Sequence, residues 1–347
     1  IQKLYRNGGI IPINGYPTIG FGEGIALGGS TVVNGGLLWR TPNWVLNYWK
    51  ENFKIDGYEI KNLEKHFKNI EKNLGVSLEH EIIGADLDST LIKNSAEKLH
   101  WKIEMVPRAT SNCNRSNQCG VGCPSGAKQS VDKNYILEGN HSGGKILTQT
   151  RVDKLFTKKN RIFKVEATDL VSNQKIIISP KKVFMAAGAL NSPALLKKSG
   201  IYKSLNFNLN FHLNLRIFSS FSNKLNSENA TMFIYQIQEF AKEGILIMGT
   251  NFRPSYVASA LSHLSNEEII KAFDEYEYSA LYTTMVKPLN SAKIYVTPNG
   301  DKVIKHNLNN NDLSILKRSL YLTSKLLFHA GAKKVVLPLT NCGPLFS

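Results

Sequence analysis

Gly28-Gly29-Ser30-Thr31-Val32-Val33-Asn34-Gly35-Gly36 is the strongest local feature of this 347-residue chain. Glycine pairs at both ends let the backbone come close to a ligand or turn through left-handed conformations, and Ser30 and Thr31 add small hydroxyls suited to a phosphate or a ring edge. The same residues would also make a plain glycine-rich turn, and composition alone leaves both readings open. Just beyond, Thr41-Pro42 places a capping side chain before a proline, which predicts a helix from Pro42 to about Phe53.

Further along, Leu63, Phe67, Ile70 and Leu74 recur at helical spacing and Gly75 follows them, predicting an amphipathic helix over residues 62–74 whose apolar stripe is core packing. Two alternating segments, Lys145–Phe156 and Arg161–Val171, flank the polar turn at residues 157–160 and read as an antiparallel hairpin. Lys182–Gly188 reads as a short buried strand, and Ser192-Pro193 starts a helix that Gly200 stops. Strands are expected at Ala280–Met285 and Ala292–Thr297, the latter turning at Asn299-Gly300 and returning through Lys302–Leu308. A capping box at Ser265 and Glu268 marks an intervening helix, and a long helix from Asp312 to Ala330 precedes the strand Lys334–Leu339.

Bulk composition narrows the function classes. A 42% hydrophobic and 20% charged chain is ordinary globular material, and no run of 18 apolar residues exists, so no segment is expected to span a bilayer. The formal charge of +16 suits an anionic partner, yet it comes from 34 Lys against 9 Arg scattered along the chain. Nucleic-acid readers cluster cations with stacking aromatics on one element, so a solvated lysine-rich surface is the expectation and no nucleic-acid partner is expected. The eight histidines form no metal-binding or catalytic pair, and neither a nucleophile elbow nor a Walker loop occurs.

A Gly-Gly-Ser-Ser/Thr-x-x-Asn-Gly run followed by a Trp-bearing helix resembles the first signature of the glucose-methanol-choline family of FAD-dependent oxidoreductases, and here the helix begins Pro42-Asn43-Trp44. Residues 187–201, Ala-Gly-Ala-Leu-Asn-Ser-Pro-Ala-Leu-Leu-Lys-Lys-Ser-Gly-Ile, are similar to the second signature over its whole length. The resemblance implies an α/β (α+β) mixture: a partial Rossmann-like FAD-binding domain over residues 1–203, a mainly antiparallel substrate domain over 204–310, and a helix and strand over 311–347 returning to the first. It also implies FAD contacts at Gly28, Gly29, Ser30, Asn34, Gly35, Val152, Ala187 and Gly188. Some relatives link FAD covalently through a histidine before the signature asparagine; Val33 stands there, which implies non-covalent FAD.

The resemblance also exposes two departures. The family's Gly-x-Gly-x-x-Gly motif and its catalytic histidine, expected before and after the matched region, are not among the 347 residues. The expectation is therefore a piece of a longer enzyme that oxidises a CH–OH group of an alcohol or sugar by hydride transfer to flavin, with the catalytic base outside it. The rival expectations are a remnant that binds no cofactor and a basic nucleic-acid-binding module.

Cys113, Cys119 and Cys123, spaced C-x5-C-x3-C among glycines, are too few for a disulfide framework. Their loop resembles that of bacterial sugar dehydrogenases in the same family, which implies a three-iron [3Fe-4S] cluster and a redox protein as electron acceptor. It equally resembles the cysteine-rich loop of long-chain alcohol oxidases, which implies a compact structural loop.

Overall fold

The computed structural model describes residues 2–78, 87–201, 206–297 and 299–347. His80 and the expected domain boundary at residues 203 and 204 lie outside them. The fold is the expected α/β (α+β) mixture, built on a five-stranded sheet, a seven-stranded sheet and two smaller ones.

The seven-stranded sheet is antiparallel throughout and runs, edge to edge, through Leu345–Phe346, Lys334–Val336, Leu213–Ser220, Ser279–Val286, Ile245–Gly249, Tyr235–Ile237 and Ile103–Met105. Successive residues of a strand face opposite sides. Ile217, Ala280 and Tyr282 accordingly pack against the helices Leu87–Lys98 and Asn310–His329, while Phe218 and Leu281 meet the pair Pro254–Ala260 and Asn266–Asp274. Both faces being covered, Ser279–Val286 is buried at seven of its eight positions.

The five-stranded sheet has the order Ile19–Gly24, Tyr5–Asn14, Lys302–Lys305, Ala292–Val296, Phe207–Leu209. Its hairpin pairs Val296 with Lys302, as the Asn299-Gly300 turn predicts. The N-terminal hairpin beside it was not legible. Gly8, Gly9 and Pro12 break the alternation of Tyr5–Asn14, and Pro12 is tolerated because the parallel pairing with Lys302–Lys305 begins only at Ile13. Each large sheet therefore draws strands from both early and late sequence.

A third sheet is the ribbon Thr150–Lys158, Arg161–Asp169, Lys175–Ile178. Its first turn is tight because Lys159 and Asn160 both take positive φ, 48° and 58°, matching the twist of the flanking strands.

Three local expectations need correction. Lys182–Gly188 is not a strand; no described strand pairs with it and Phe184 is 90% exposed, so its apolar run has neither hydrogen-bonding partner nor cover. Pro42 is the N-cap of helix Asn43–Phe53 rather than its first residue, and Thr41 makes no cap. Ser192 lies inside helix Asn191–Lys198, where its Oγ accepts from the Ala187 amide at 3.1 Å instead of capping. The capping box at Ser265 and Glu268 forms as expected. No helix of the described residues is long and apolar enough to cross a membrane.

Candidate functional site

The glycine stretch is a tight turn of 3-10 helix, Gly29–Val32, entered through Gly28 and Gly29 with φ of 91° and 58°. Those angles are open to glycine and strained for other residues. Ser30 Oγ accepts from the Gly24 amide at 2.9 Å, and Thr31 Oγ1 donates to the Gly28 carbonyl at 2.6 Å. Asn34 Oδ1 accepts from the Gly36 amide at 3.0 Å, so the signature asparagine shapes its own loop. Gly35 has no room for a side chain: a Cβ there would lie 2.5 Å from the Phe233 ring. By contrast nothing lies within 4 Å of a Cβ at Gly29, which leaves that side of the loop open.

The second signature meets the first across strand Ile19–Gly24. Gly188, with φ of 91°, sits against Glu23, whose Oε1 accepts from Asn191 Nδ2 at 3.0 Å. Arg6 holds the other Glu23 oxygen at 2.5 Å, and Lys302 donates to Asn191 Oδ1 at 2.8 Å. Burial and the nearby Arg6 push the Lys302 ammonium pKa down. Leu190, 2% exposed, anchors the turn into the core of the five-stranded sheet. Glu23 thus holds residues 188–191 while its neighbour Gly24 holds Ser30. Residues more than 150 positions apart share one edge strand. Val152 lies elsewhere, 42% exposed on the ribbon, whose Leu155 amide is bonded to Ser199 Oγ at 2.8 Å at the end of helix Asn191–Lys198.

The cysteine loop packs behind the glycine loop. Arg108 Nη2 donates to the Gly35 carbonyl at 3.0 Å and to Cys119 Sγ at 3.3 Å, and Nη1 donates to the Met232 carbonyl at 2.5 Å. Lys128 joins the same two loops, its Nζ reaching the Thr31 carbonyl at 2.6 Å and its amide reaching Cys123 Sγ at 3.3 Å. The Tyr5 hydroxyl lies 2.6 Å from the Gly120 carbonyl and 3.4 Å from that of Val33. Burial pushes the Cys119 thiol pKa up. Burial acts the same way on Cys123, but donors from Lys128, Ser125 and Ala127 outweigh it and hold that thiol below its usual value. All four cysteines are free, and among the described residues no three His, Cys, Asp or Glu side chains are grouped to hold a metal ion. Cys113, Cys119 and Cys123 line one small pocket with Arg108 and Lys128.

Sequence reasoning missed Arg6, Glu23, Arg108 and Lys128. In a chain with 43 basic residues nothing marks which few are buried. The one available signal was proximity to the cysteine loop.

The model of GMC oxidoreductases matches residues 1–215. An uncharacterized GMC-type oxidoreductase, y4nJ, of Sinorhizobium fredii is 27% identical over 96% of this chain and 66% of its own length. The long-chain-alcohol oxidase FAO3 of Arabidopsis thaliana is 24% identical over 96% of this chain and 47% of its own length. The chain therefore spans about half to two-thirds of these relatives. In three dimensions it is similar to an FAD-dependent oxidoreductase of Chaetomium thermophilum, with a TM-score of 0.63, 12% identity, and coverage of 93% of this chain and 73% of the other. With the glycine loop and the second signature meeting on one strand, and with the family model matching more than half of its residues, this chain belongs to the GMC oxidoreductase family of FAD-binding proteins.

Proposed function

We propose that this chain supplies part of the FAD cradle and most of the substrate-side sheet of a longer GMC enzyme that oxidises a CH–OH group. The observation that carries this reading is the convergence of the two signatures on Glu23 and Gly24. Gly28, Gly29, Ser30, Asn34 and Gly35 would line the pyrophosphate and the flavin ring, Ala187 and Gly188 the dinucleotide, and Val152 the adenine. The fit is steric as well as chemical: the side of Gly29 is open, whereas Gly35 is closed against Phe233. Bound FAD supplies the hydride acceptor; the protein's own contribution is to orient it and to exclude water.

Boundaries near residues 203 and 310 belong to the same proposal in chain order only, since Ala292–Val296 and Lys302–Lys305 join the sheet of the N-terminal strands and Lys334–Val336 joins the seven-stranded sheet. The view that the chain is a fragment, inactive alone, whose catalytic base lies outside it belongs to that proposal too. Similarity to long-chain-alcohol oxidases favours an alcohol over a sugar as the substrate class. For the cysteine loop, hydrogen bonds to two of its sulfurs, from Arg108 to Cys119 and from the Lys128 amide to Cys123, support a compact thiol loop as the reading preferred to a [3Fe-4S] cluster serving a redox-protein acceptor. Two measurements on the full-length protein test this reading. Anaerobic addition of a primary alcohol is expected to bleach bound flavin, and failure with every alcohol and sugar tried would count against it. Iron analysis after anaerobic purification is expected to find no iron, and about three irons per chain would restore the cluster.

A further inference from the structure

Arg108 is the largest of the fully buried side chains, at 1% exposure, and Lys128 is buried almost as deeply. Burying a cation costs several kcal/mol unless it is compensated, usually by a carboxylate. No carboxylate accepts from either of these among the described residues. Their acceptors are three peptide carbonyls, Thr31, Gly35 and Met232, and the sulfur of Cys119, while Cys123 accepts from the Lys128 amide. Two of the three carbonyls belong to the glycine loop.

The direction of a carbonyl fixes the peptide plane, and with it the direction of the next amide. Cations drawing Thr31 O and Gly35 O toward the cysteine loop therefore set the tilt of the planes on either side of Asn34, in a segment whose glycines would otherwise rotate freely. Arg108 is also the point at which three separate pieces of chain meet: the glycine loop at Gly35, the cysteine loop at Cys119, and the approach to the seven-stranded sheet at Met232.

We propose that Arg108 is a positioning residue for the FAD-facing loop, and that the three-cysteine loop serves as the brace through which Arg108 and Lys128 act. Cys119 gives the Arg108 fork a soft third acceptor in a space too small for a carboxylate side chain, and Cys123 holds the backbone of Lys128 through its amide. The proposal rests on the FAD-binding reading for its consequence, but not for its geometry.

The experiment uses the full-length protein and the variants Arg108→Met, Arg108→Lys and Lys128→Met. Two readouts are taken: amide hydrogen exchange over residues 28–36, and FAD affinity by flavin fluorescence titration. Arg108→Met is expected to speed exchange in the loop, to leave protection of strand Ser279–Val286 unchanged, and to weaken FAD binding by about tenfold or more. Arg108→Lys, keeping the charge but not the fork, is expected to recover part of both. Lys128→Met, which removes only the bond to Thr31, is expected to show the same pattern more weakly and serves if Arg108→Met does not fold. Unchanged exchange would overturn the brace, and faster exchange with unchanged FAD affinity would overturn the positioning role. A wild-type protein that binds no FAD, yet whose loop is loosened by Arg108→Met, would overturn the functional reading while leaving the brace in place.

Discussion

A methyl group at Gly35 would lie 2.5 Å from the Phe233 ring and 2.8 Å from Leu37, closer than real side-chain carbons approach. Gly35→Ala therefore has to push an aromatic ring out of a packed site, at a cost of roughly 1–3 kcal/mol. The expected outcome is a lower urea midpoint together with loss of FAD from the purified protein. Gly29→Ala separates backbone from packing, because nothing lies within 4 Å of the added carbon while φ is 58°. Its expected stability cost is smaller, about 1 kcal/mol, since only the left-handed backbone objects. Equal losses of stability from the two variants would contradict this account of the loop. At this scale the sequence was informative about one partner and silent about the other. Gly28, Gly29, Ser30, Asn34 and Gly35 were legible because glycine pairs beside small hydroxyls are a local pattern. Glu23 and Arg108 were not, because what makes them matter is contact with residues 168 and 73 positions away.

Among the elements, the ribbon offers the clearest electrostatic test. Asp153 is buried, which opposes its ionisation, but hydrogen bonds from Thr168, Arg151 and Lys175 outweigh burial and hold its pKa at about 2, below the ordinary 3.8. A folded pKa below the unfolded one means that the stabilisation is fully present above about pH 4 and is lost as pH falls toward 2. Asp153→Asn is expected to lower stability at neutral pH by about 1–3 kcal/mol. The gap between wild type and variant, followed by urea unfolding, is expected to close on acidification; a gap that stays constant would show that the ionised carboxylate contributes nothing. The hairpin carrying Asp153 was legible from the polar turn at residues 157–160, whereas Lys182–Gly188 was misread for a physical reason. A short apolar run specifies burial without naming its partner, and here Phe184 stands exposed with no paired strand. The N-terminal hairpin failed in the opposite sense: its glycines and Pro12 hide a strand whose register is fixed by tertiary pairing at Ile13 and Ile304.

Across the whole molecule, the five-stranded sheet closes strands at residues 5–24 onto strands at 207–305, and the seven-stranded sheet joins Ile103–Met105 to Leu345–Phe346. Such long-range closure is what brings residues 28–36 and 187–191 to a common strand, and no local pattern foretells it. The family resemblance did so only by implying a shared ligand. The central claim is that these two segments form one FAD cradle, and the flavin content of the full-length protein tests it most directly. Purified protein is expected to show a flavin absorption spectrum with about one FAD per chain, released intact into the supernatant on acid precipitation because Val33 offers no nucleophilic nitrogen. Protein that is colourless and takes up no FAD when it is added would contradict the account.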